Sequence, residues 1–589
     1  MSRFTCAGFL RPKTSGAYPE SSGARVRAVV TRARIDGDAL GSTGRVYRRG
    51  DFVKALSRCY ASRDDDTRRW WRGGATGDPA MSDEPLIPSA DAAREGADEA
   101  PAGWRSHVLA WGLIVGLTLF VFWPTLRNGF LQQGFDDAIV TDSEAIRGLT
   151  WGHLRAMATE FNHAHYVPLT MLSLAIDHHF WGLDPRGYHL TNVLLHALGA
   201  GLAYVFLCGV LRRRAALLAA LIFAVHPLQM EAVSVAIQRK TSLSGALFFL
   251  TLILYQRWKR SDGSGWYAAA LCAFALAALA KPMVVTLPLV LALCDYAFID
   301  GRPHWRDKLP FLVLVLPVVA ATIAAHAAVG AINPPHGGSI VTHVLMMSRV
   351  ALENITALLL PLNLSTIYYY PRADAYAPLN VAALASIALA GVYLVARRRR
   401  HPWSFFCVAW IALVLAPESN IVPLAQLRAD RFLYLSVAGF GIWLAVVVER
   451  VYAAAPRWRR AVAVLAILLI GTLASLTRAS ASIWHDDVTA WTRAVERNPW
   501  CGLAYHMLGV AEFDAGRPLR AGVAFERALS LNPQLVETHL SLARLYLRLG
   551  RPSEAATEID RFLRLSPGNT EGLAVQGEIE KMIRPPSRQ

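Results

Sequence analysis

Residues 108–126 read VLAWGLIVGLTLFVFWPTL, and the polar stretch that follows soon reaches Gly134-Phe135-Asp136-Asp137. The first run holds no charged side chain over nineteen residues. That is close to the roughly 20 residues an α-helix needs to cross the hydrocarbon layer of a membrane. The second puts two adjacent carboxylates just past the end of that crossing. Paired acids in a loop are commonly a solvated turn. Beside a membrane face they are costly unless they are solvated, paired or working. The rest of the chain has to supply the reason for them.

Outward from this stretch the apolar pattern repeats. Further runs lie near 188–211, 215–230, 237–256, 266–280, 283–299, 309–331, 378–396, 403–417, 432–449 and 461–477, which makes about eleven spans with the first. Several fall short of a straight crossing and continue into Pro-containing or polar flanks, which a helix tolerates when it is buried among others. With 54% hydrophobic residues and a mean hydropathy of +0.30 over 589 residues, the composition agrees. It excludes an ordinary soluble enzyme. The expected fold class is all-α, a polytopic membrane helix bundle followed by a short helical solenoid.

Charge sets the orientation. Arg105, Arg212 to Arg214, Arg257 with Lys259 and Arg260, Arg302 with Arg306 and Lys308, Arg397 to Arg400, and Arg450 with Arg457, Arg459 and Arg460 flank the same set of helix ends. Such clusters mark the cytoplasmic side. The loop with Asp136 and Asp137 then faces outward, and an odd number of spans carries the C-terminal region outward too. Residues 344–362 are apolar, yet a crossing there would reverse Arg397 to Arg400, so the spacing predicts a helix lying at the interface within an outer loop of 332–377. The formal charge of +16 is accounted for by these loops and by residues 1–80, which hold sixteen Lys/Arg against eight Asp/Glu. It does not indicate nucleic-acid binding.

Residues 1–103 form a basic segment without helical or strand period, read as disordered. Arg48-Arg49 lacks the following apolar core of a signal peptide, and Met81 is an alternative start. The seven cysteines show neither zinc-ligand nor disulfide spacing.

After Arg478 the pattern changes. Pro499, Pro533 and Pro567 are 34 residues apart, and Leu508/Leu542, Gly516/Gly550 and Ala521/Ala555 share that interval. A period of 34 is that of the tetratricopeptide helix-turn-helix repeat. Trp484 and the stretch from Trp491 to Pro499 read as the second half of an earlier, degraded unit. So few repeats are expected to lean on the bundle, and their concave face suits an extended polypeptide.

The motifs now assemble into a recognisable order. Phe135-Asp136-Asp137, Tyr166-Val167-Pro168-Leu169-Thr170, Tyr188-His189-Leu190-Thr191-Asn192, His226-Pro227 to Glu231-Ala232-Val233, Arg239-Lys240, Lys281-Pro282-Met283 to Asp295-Tyr296, Asn363-Leu364-Ser365 and Ala429-Asp430-Arg431-Phe432-Leu433-Tyr434-Leu435 follow one another across most of the chain. Residues 104–585 resemble bacterial relatives of the transmembrane and tetratricopeptide-repeat O-mannosyltransferases, of the C-type (GT-C) superfamily of membrane glycosyltransferases. The resemblance implies a GT-C-like membrane domain over 104–480 and a periplasmic repeat domain over 481–589, in a multi-pass protein of the bacterial inner membrane. It implies inverting transfer of a mannose-like hexose from a polyprenyl-phosphate sugar to a hydroxyl of a protein acceptor. A glycolipid or cell-surface polysaccharide is the alternative acceptor. A non-enzymatic scaffold acting through the repeats is the alternative class, and it has no use for an acid pair facing sparse cations. Within the resemblance, Asp136 or Asp137 takes the place of the catalytic base, the first being favoured.

The chemistry also asks for cations on the outer side. A leaving polyprenyl phosphate gathers negative charge that preorganised cations stabilise. Arg431 with Arg428 behind it, then Arg239, Lys240 and Lys281, are the candidates, because outward loops are otherwise poor in positive charge and arginine grips phosphate through two parallel bonds. Glu231, His163, His165 and Tyr166 are candidate supporting residues, and Glu231 is also a salt-bridge partner for Arg239. His163 and His165, or His178 with His179, could hold a divalent cation with the aspartates; no spacing fixes such a geometry, and a divalent cation stays an open alternative to none. His196 and His226, on apolar faces, read as hydrogen-bonded packing residues.

Overall fold

A computed structural model describes residue 87 and residues 104–132, 135–161, 166–261, 263–371, 376–423 and 426–583. The basic segment 1–103 therefore lies outside the described residues except for Ile87, and so do His163 and His165. Every regular element among the described residues is helical. The described residues fall in one compact unit that holds both the apolar helices and the repeats.

The eleven apolar runs all become helix. The first is α1 (Trp104–Phe122). The expected loop after it holds α2 (Trp151–Thr159) and α3 (Pro168–Trp181), with Pro168 at the first position of α3, where a missing N–H costs nothing. Next come α4 (Pro185–Cys208), α5 (Arg213–Val225), the single turn α6 (Met230–Ser234) and α7 (Arg239–Ser261). They are followed by α8 (Ser264–Ala280), α9 (Leu287–Phe298), α10 (Trp305–Ala328) and α11 (Ile340–Leu359). The bundle closes with α12 (Pro378–Ala396), α13 (Pro402–Leu415), α14 (Ser436–Ala454) and α15 (Arg459–Ser480).

Six helices among the described residues are long and apolar enough to cross a membrane, and α5 with 227–234, bent by 52°, makes a seventh. The regions Ser264–Ala280, Pro282–Phe298 and Pro402–Glu418 are shorter apolar helices. The eleventh run, α7, is 23 residues long but is bounded by charge at both ends. Its apolar centre alone carried it in the sequence reading. Residues 340–359 are not among the candidate spans.

The surface argues for lipid. On α10, Leu309, Val313, Leu316 and Ile323 are all exposed, and on α12 so are Leu379, Val381, Leu389, Val392 and Val395. Apolar faces of this extent are not left open to water. Inside, small residues let helices close up, as lipid-embedded bundles require. A Cβ on Gly441 would lie 2.9 Å from the carbonyl oxygen of Ala219, so α14 meets α5 backbone to backbone. The two buried histidines on apolar faces are both hydrogen-bonded. His196 bonds the Tyr434 hydroxyl at 2.8 Å and the Ala224 carbonyl at 3.1 Å, and His226 the Leu358 carbonyl at 3.1 Å, so both are packing residues as read.

The repeats follow as α16 (Asp487–Arg497), α17 (Gly502–Asp514), α18 (Pro518–Leu531), α19 (Val536–Arg548), α20 (Pro552–Leu565) and α21 (Thr570–Ile583). Two full pairs, α17–α18 and α19–α20, stand between single flanking helices, in the arrangement the 34-residue period predicts. Gly516 and Gly550 turn each pair with φ of 74° and 68°, a region glycine enters without steric cost. Ala521 and Ala555, one period apart, are completely buried where the paired helices touch.

Candidate active site

Asp136 is completely buried. Its Oδ1 accepts the Ile237 N–H at 2.8 Å and its Oδ2 the Leu131 N–H at 3.1 Å. One carboxylate thus ties the first outer loop to the turn that opens α7. Burial pushes its carboxyl up to about 6, against the opposing pull of those backbone amides. Two of its roughly four lone-pair positions remain for other donors. Asp137, the next residue, begins a single wide turn over Asp137–Thr141 and is half-buried. The adjacent acids therefore occupy different environments: one holds backbone, the other is accessible.

Three residues after Ile237 comes Lys240, buried and within electrostatic reach of Lys281, Arg431, Glu418 and Glu231. Lys281 caps the end of α8 and pairs with Glu418 at 3.0 Å, with Thr241 Oγ1 at 3.2 Å. Arg431 pairs with Glu231 through its guanidinium, donates its backbone N–H to the same carboxylate at 2.9 Å and contacts Gln426. Three cations and two carboxylates from α6, α7, the end of α8, the turn after α13 and the turn before α14 thus meet beside the loop that Asp136 anchors. Packing so much charge at the edge of an apolar bundle is expensive, which makes a working site the default reading.

Arg428 is in the adjoining layer. Its guanidinium lies over the Tyr368 ring, 3.9 Å from the centroid, and reaches Glu353 at 3.2 Å. Tyr368 donates to Asp430 at 2.6 Å and Tyr370 to Glu353 at 2.6 Å. Asp430 is buried near Glu231, and burial pushes its carboxyl up to about 7. Tyr368 and Tyr370 are therefore tied into this network.

Arg239 does not join the cluster, and it does not pair with Glu231. It is completely buried and bonds Asn192 Oδ1 at 2.9 Å, the Ser173 carbonyl at 3.0 Å and the Tyr188 carbonyl at 2.9 Å, with an ion pair to Asp177. With a further contact to Ser173 Oγ, all five of its N–H donors are engaged. It locks α3 and α4 to α7 and has nothing left for a phosphate. Tyr166 donates to the Ala158 carbonyl at 2.9 Å and closes the α2–α3 corner. Among the described residues no three His, Cys, Asp or Glu side chains gather as a metal site would require.

Sequence reasoning missed Glu418. Its signal was present: an acid that directly ends an apolar run, after Ala416-Pro417, invites the question of its partner. It also missed how closely the repeats approach the acid pair. Phe135, one residue before Asp136, packs against Trp484 and Trp491, with ring centroids 5.8 and 5.9 Å away. Asp487 accepts the Gln132 N–H at 3.0 Å, and Asn498 bridges to Ile367 and Tyr369. The degraded first unit is a wedge between the first outer loop and the loop before α12.

Two family models match parts of the chain. Residues 168–326 match dolichyl-phosphate-mannose-protein mannosyltransferase, and residues 512–579 match the tetratricopeptide repeat. The first match contains Glu231, Lys240 and Lys281. The chain is similar in sequence to proteins named protein O-mannosyl-transferases. It is 32% identical to TMTC3 of Homo sapiens over 190 residues, covering 30% of this chain and 20% of that protein. Against Tmtc3 of Drosophila melanogaster it is 23% identical over 547 residues, covering 77% of this chain and 58% of that protein. The chain thus spans about a fifth of the human relative in the stronger match and under two thirds of the fly relative in the longer one. ArnT of Cupriavidus metallidurans, in a crystal structure with undecaprenyl phosphate, overlaps 78% of this chain and 80% of its own at 16% identity, with a TM-score of 0.33, too loose to argue from.

Proposed function

We propose that the chain is a membrane glycosyltransferase that moves a mannose-like hexose from a polyprenyl phosphate to a hydroxyl of a protein acceptor at the outer face of a bacterial inner membrane. The observation that carries the reading is the meeting of Lys240, Lys281 and Arg431 beside the loop held by Asp136. Related proteins named as O-mannosyl-transferases support it. The membrane domain runs over 104–480, and the repeats from 481 onward bind the polypeptide. With the basic loops cytoplasmic, both the acid pair and the repeats face the periplasm.

The mechanism follows from the groups present. The acceptor hydroxyl loses its proton to the loop carboxylate as its oxygen attacks the anomeric carbon, and the bond from that carbon to the phosphate oxygen breaks with its electron pair. A single displacement inverts the anomeric centre. Asp136 is favoured as base because a carboxyl raised to about 6 accepts a proton near neutral pH better than an ordinary one; Asp137 is its accessible neighbour. Lys240, Lys281 and Arg431, with Arg428 behind, receive the phosphate, and Glu231 and Glu418 hold those cations in place until it arrives.

Transfer from a radiolabelled polyprenyl-phosphate sugar by the purified chain, with peptide and glycolipid acceptors offered separately, tests the proposal. Peptide labelling that falls about 10²- to 10⁴-fold in Asp136→Asn supports it. Labelling of the glycolipid alone would move the acceptor to the lipid class. Wild-type turnover in both Asp136→Asn and Asp137→Asn would remove the catalytic assignment.

A further inference from the structure

A cavity of about 800 Å³ opens where α1 ends and α4 begins, apart from the cation cluster, and its lining includes Trp123, Arg127, Asn128, Trp181, Asp184 and Arg186. Among the described residues the Arg127 and Arg186 guanidinium groups are exposed and make no ion pair, and the buried Asn128 has an amide nitrogen without an acceptor. Asp184 is the one acid in the lining, and its Oδ1 already caps α4 by accepting the Arg186 N–H at 3.0 Å. The lining thus offers one buried amide donor without an acceptor and two exposed guanidinium groups against one carboxylate, a donor-rich, net positive surface that suits an anion. Trp123, at the end of a crossing helix, is 56% exposed, and Trp181, at the end of α3, is 46% exposed; indole rings at such a place favour the headgroup level. The volume is that of a small-molecule site and exceeds what a bare phosphate fills.

We infer that this cavity binds the phosphate-bearing headgroup of a lipid, with Arg127 and Arg186 on the phosphate and Asn128 donating to an ester or sugar oxygen. The inference rests on the membrane reading of the bundle and not on the transfer reaction, so a chain inactive as a transferase can still pass its test. It places a second lipid-phosphate site on the first outer loop, since the chain runs directly from Asn128 through Gly129 to Leu131, the residue whose N–H holds Asp136.

The test is titration of the purified full chain with phosphatidylglycerol, polyprenyl monophosphate, diacylglycerol and inorganic phosphate, read by native mass spectrometry and by displacement of a fluorescent lipid. Each of Arg127→Gln and Arg186→Gln should weaken binding of the phosphate-bearing lipids by about tenfold, the size of one charge-assisted contact, with diacylglycerol unaffected. Both residues are exposed, so the variants should fold; a thermal unfolding midpoint equal to wild type confirms it. Loss confined to polyprenyl monophosphate assigns the site to the carrier lipid, and equal loss for phosphatidylglycerol assigns it to headgroups in general. Unchanged lipid affinity in the double variant, or displacement of the lipid by micromolar inorganic phosphate, would overturn the inference.

Discussion

Arg239 and Lys240 are neighbours in sequence and opposites in use. Arg239 points into a knot of backbone carbonyls, Asn192 and Asp177, where every donor is engaged. Lys240 faces a cluster in which three cations meet two carboxylates. The knot joins α3 and α4 to α7 through one guanidinium, as a scaffold requires. The cluster carries one more cation than acid, and its ion pairs can exchange one carboxylate for a phosphate. A positive charge near a site is thus not by itself a ligand for the substrate. What separates the two is the company each keeps: Arg239 lies among backbone carbonyls, Asn192 and Asp177, and Lys240 among other cations and the carboxylates of Glu231 and Glu418.

The comparison can be broken most severely at the knot. Arg239→Ala leaves the buried Asp177 carboxylate without its cation and Asn192 Oδ1 without its donor, and breaking a buried pair from one side costs about 3–5 kcal/mol. The expected outcome is loss of folded protein from the membrane fraction, measured by detergent-solubility profile. A folded variant with a selective defect in donor binding would instead place Arg239 in the cluster.

Lys281→Met sharpens the other side. It keeps the bulk of the side chain and removes one cation, so donor affinity should fall by about tenfold while the protein stays folded. The partner Glu418 then lies beside Lys240 and Arg431, which limits the structural cost. An unfolded variant would show that Lys281 is scaffold as well.

A smaller effect is expected between the acid pair and the repeats. Phe135→Ala removes the ring wedged between Trp484 and Trp491. The expected result is a few-fold loss in transfer to the polypeptide with donor binding unchanged, read from the separate kinetic constants. Equal loss with a small soluble acceptor would mean that the ring positions the acid pair and does not couple the repeats to it.

The smallest effect concerns pH. Burial raises Asp430 to about 7 from an ordinary 3.8. A carboxyl raised in the folded state contributes stability below its unfolded value and loses it as pH climbs through the folded one, so the loss falls between about pH 4 and 7. Asp430→Asn keeps an acceptor for Tyr368 and should flatten the decline of the unfolding midpoint over that window. A decline of wild-type slope in the variant would assign it to other groups.

Much of this architecture was legible in the sequence, for a physical reason. Hydropathy runs report which segments leave water, and all eleven became helix. The 34-residue interval reports a stacking geometry, and Gly516, Gly550, Ala521 and Ala555 occupy the turns and contacts it implies. What was not legible is pairing across the fold. Nothing local distinguishes Arg239 from Lys240, or shows that Glu231 would meet Arg431, 200 positions away, and not its near neighbour. The loop after α1 hid α2 and α3 because a polar segment packed on the bundle lacks the long apolar run that announces a crossing. Glu418 was readable only by asking what an acid at the end of such a run would meet.

The most direct test of the division between acid and cations is donor binding and single-turnover transfer measured side by side on Asp136→Asn and Lys281→Met. The account predicts that Asp136→Asn binds the polyprenyl-phosphate sugar as wild type does but transfers it about 10²- to 10⁴-fold more slowly, while Lys281→Met loses about tenfold in donor affinity. An Asp136→Asn variant that cannot bind donor, together with a Lys281→Met variant that binds it normally, would contradict the account.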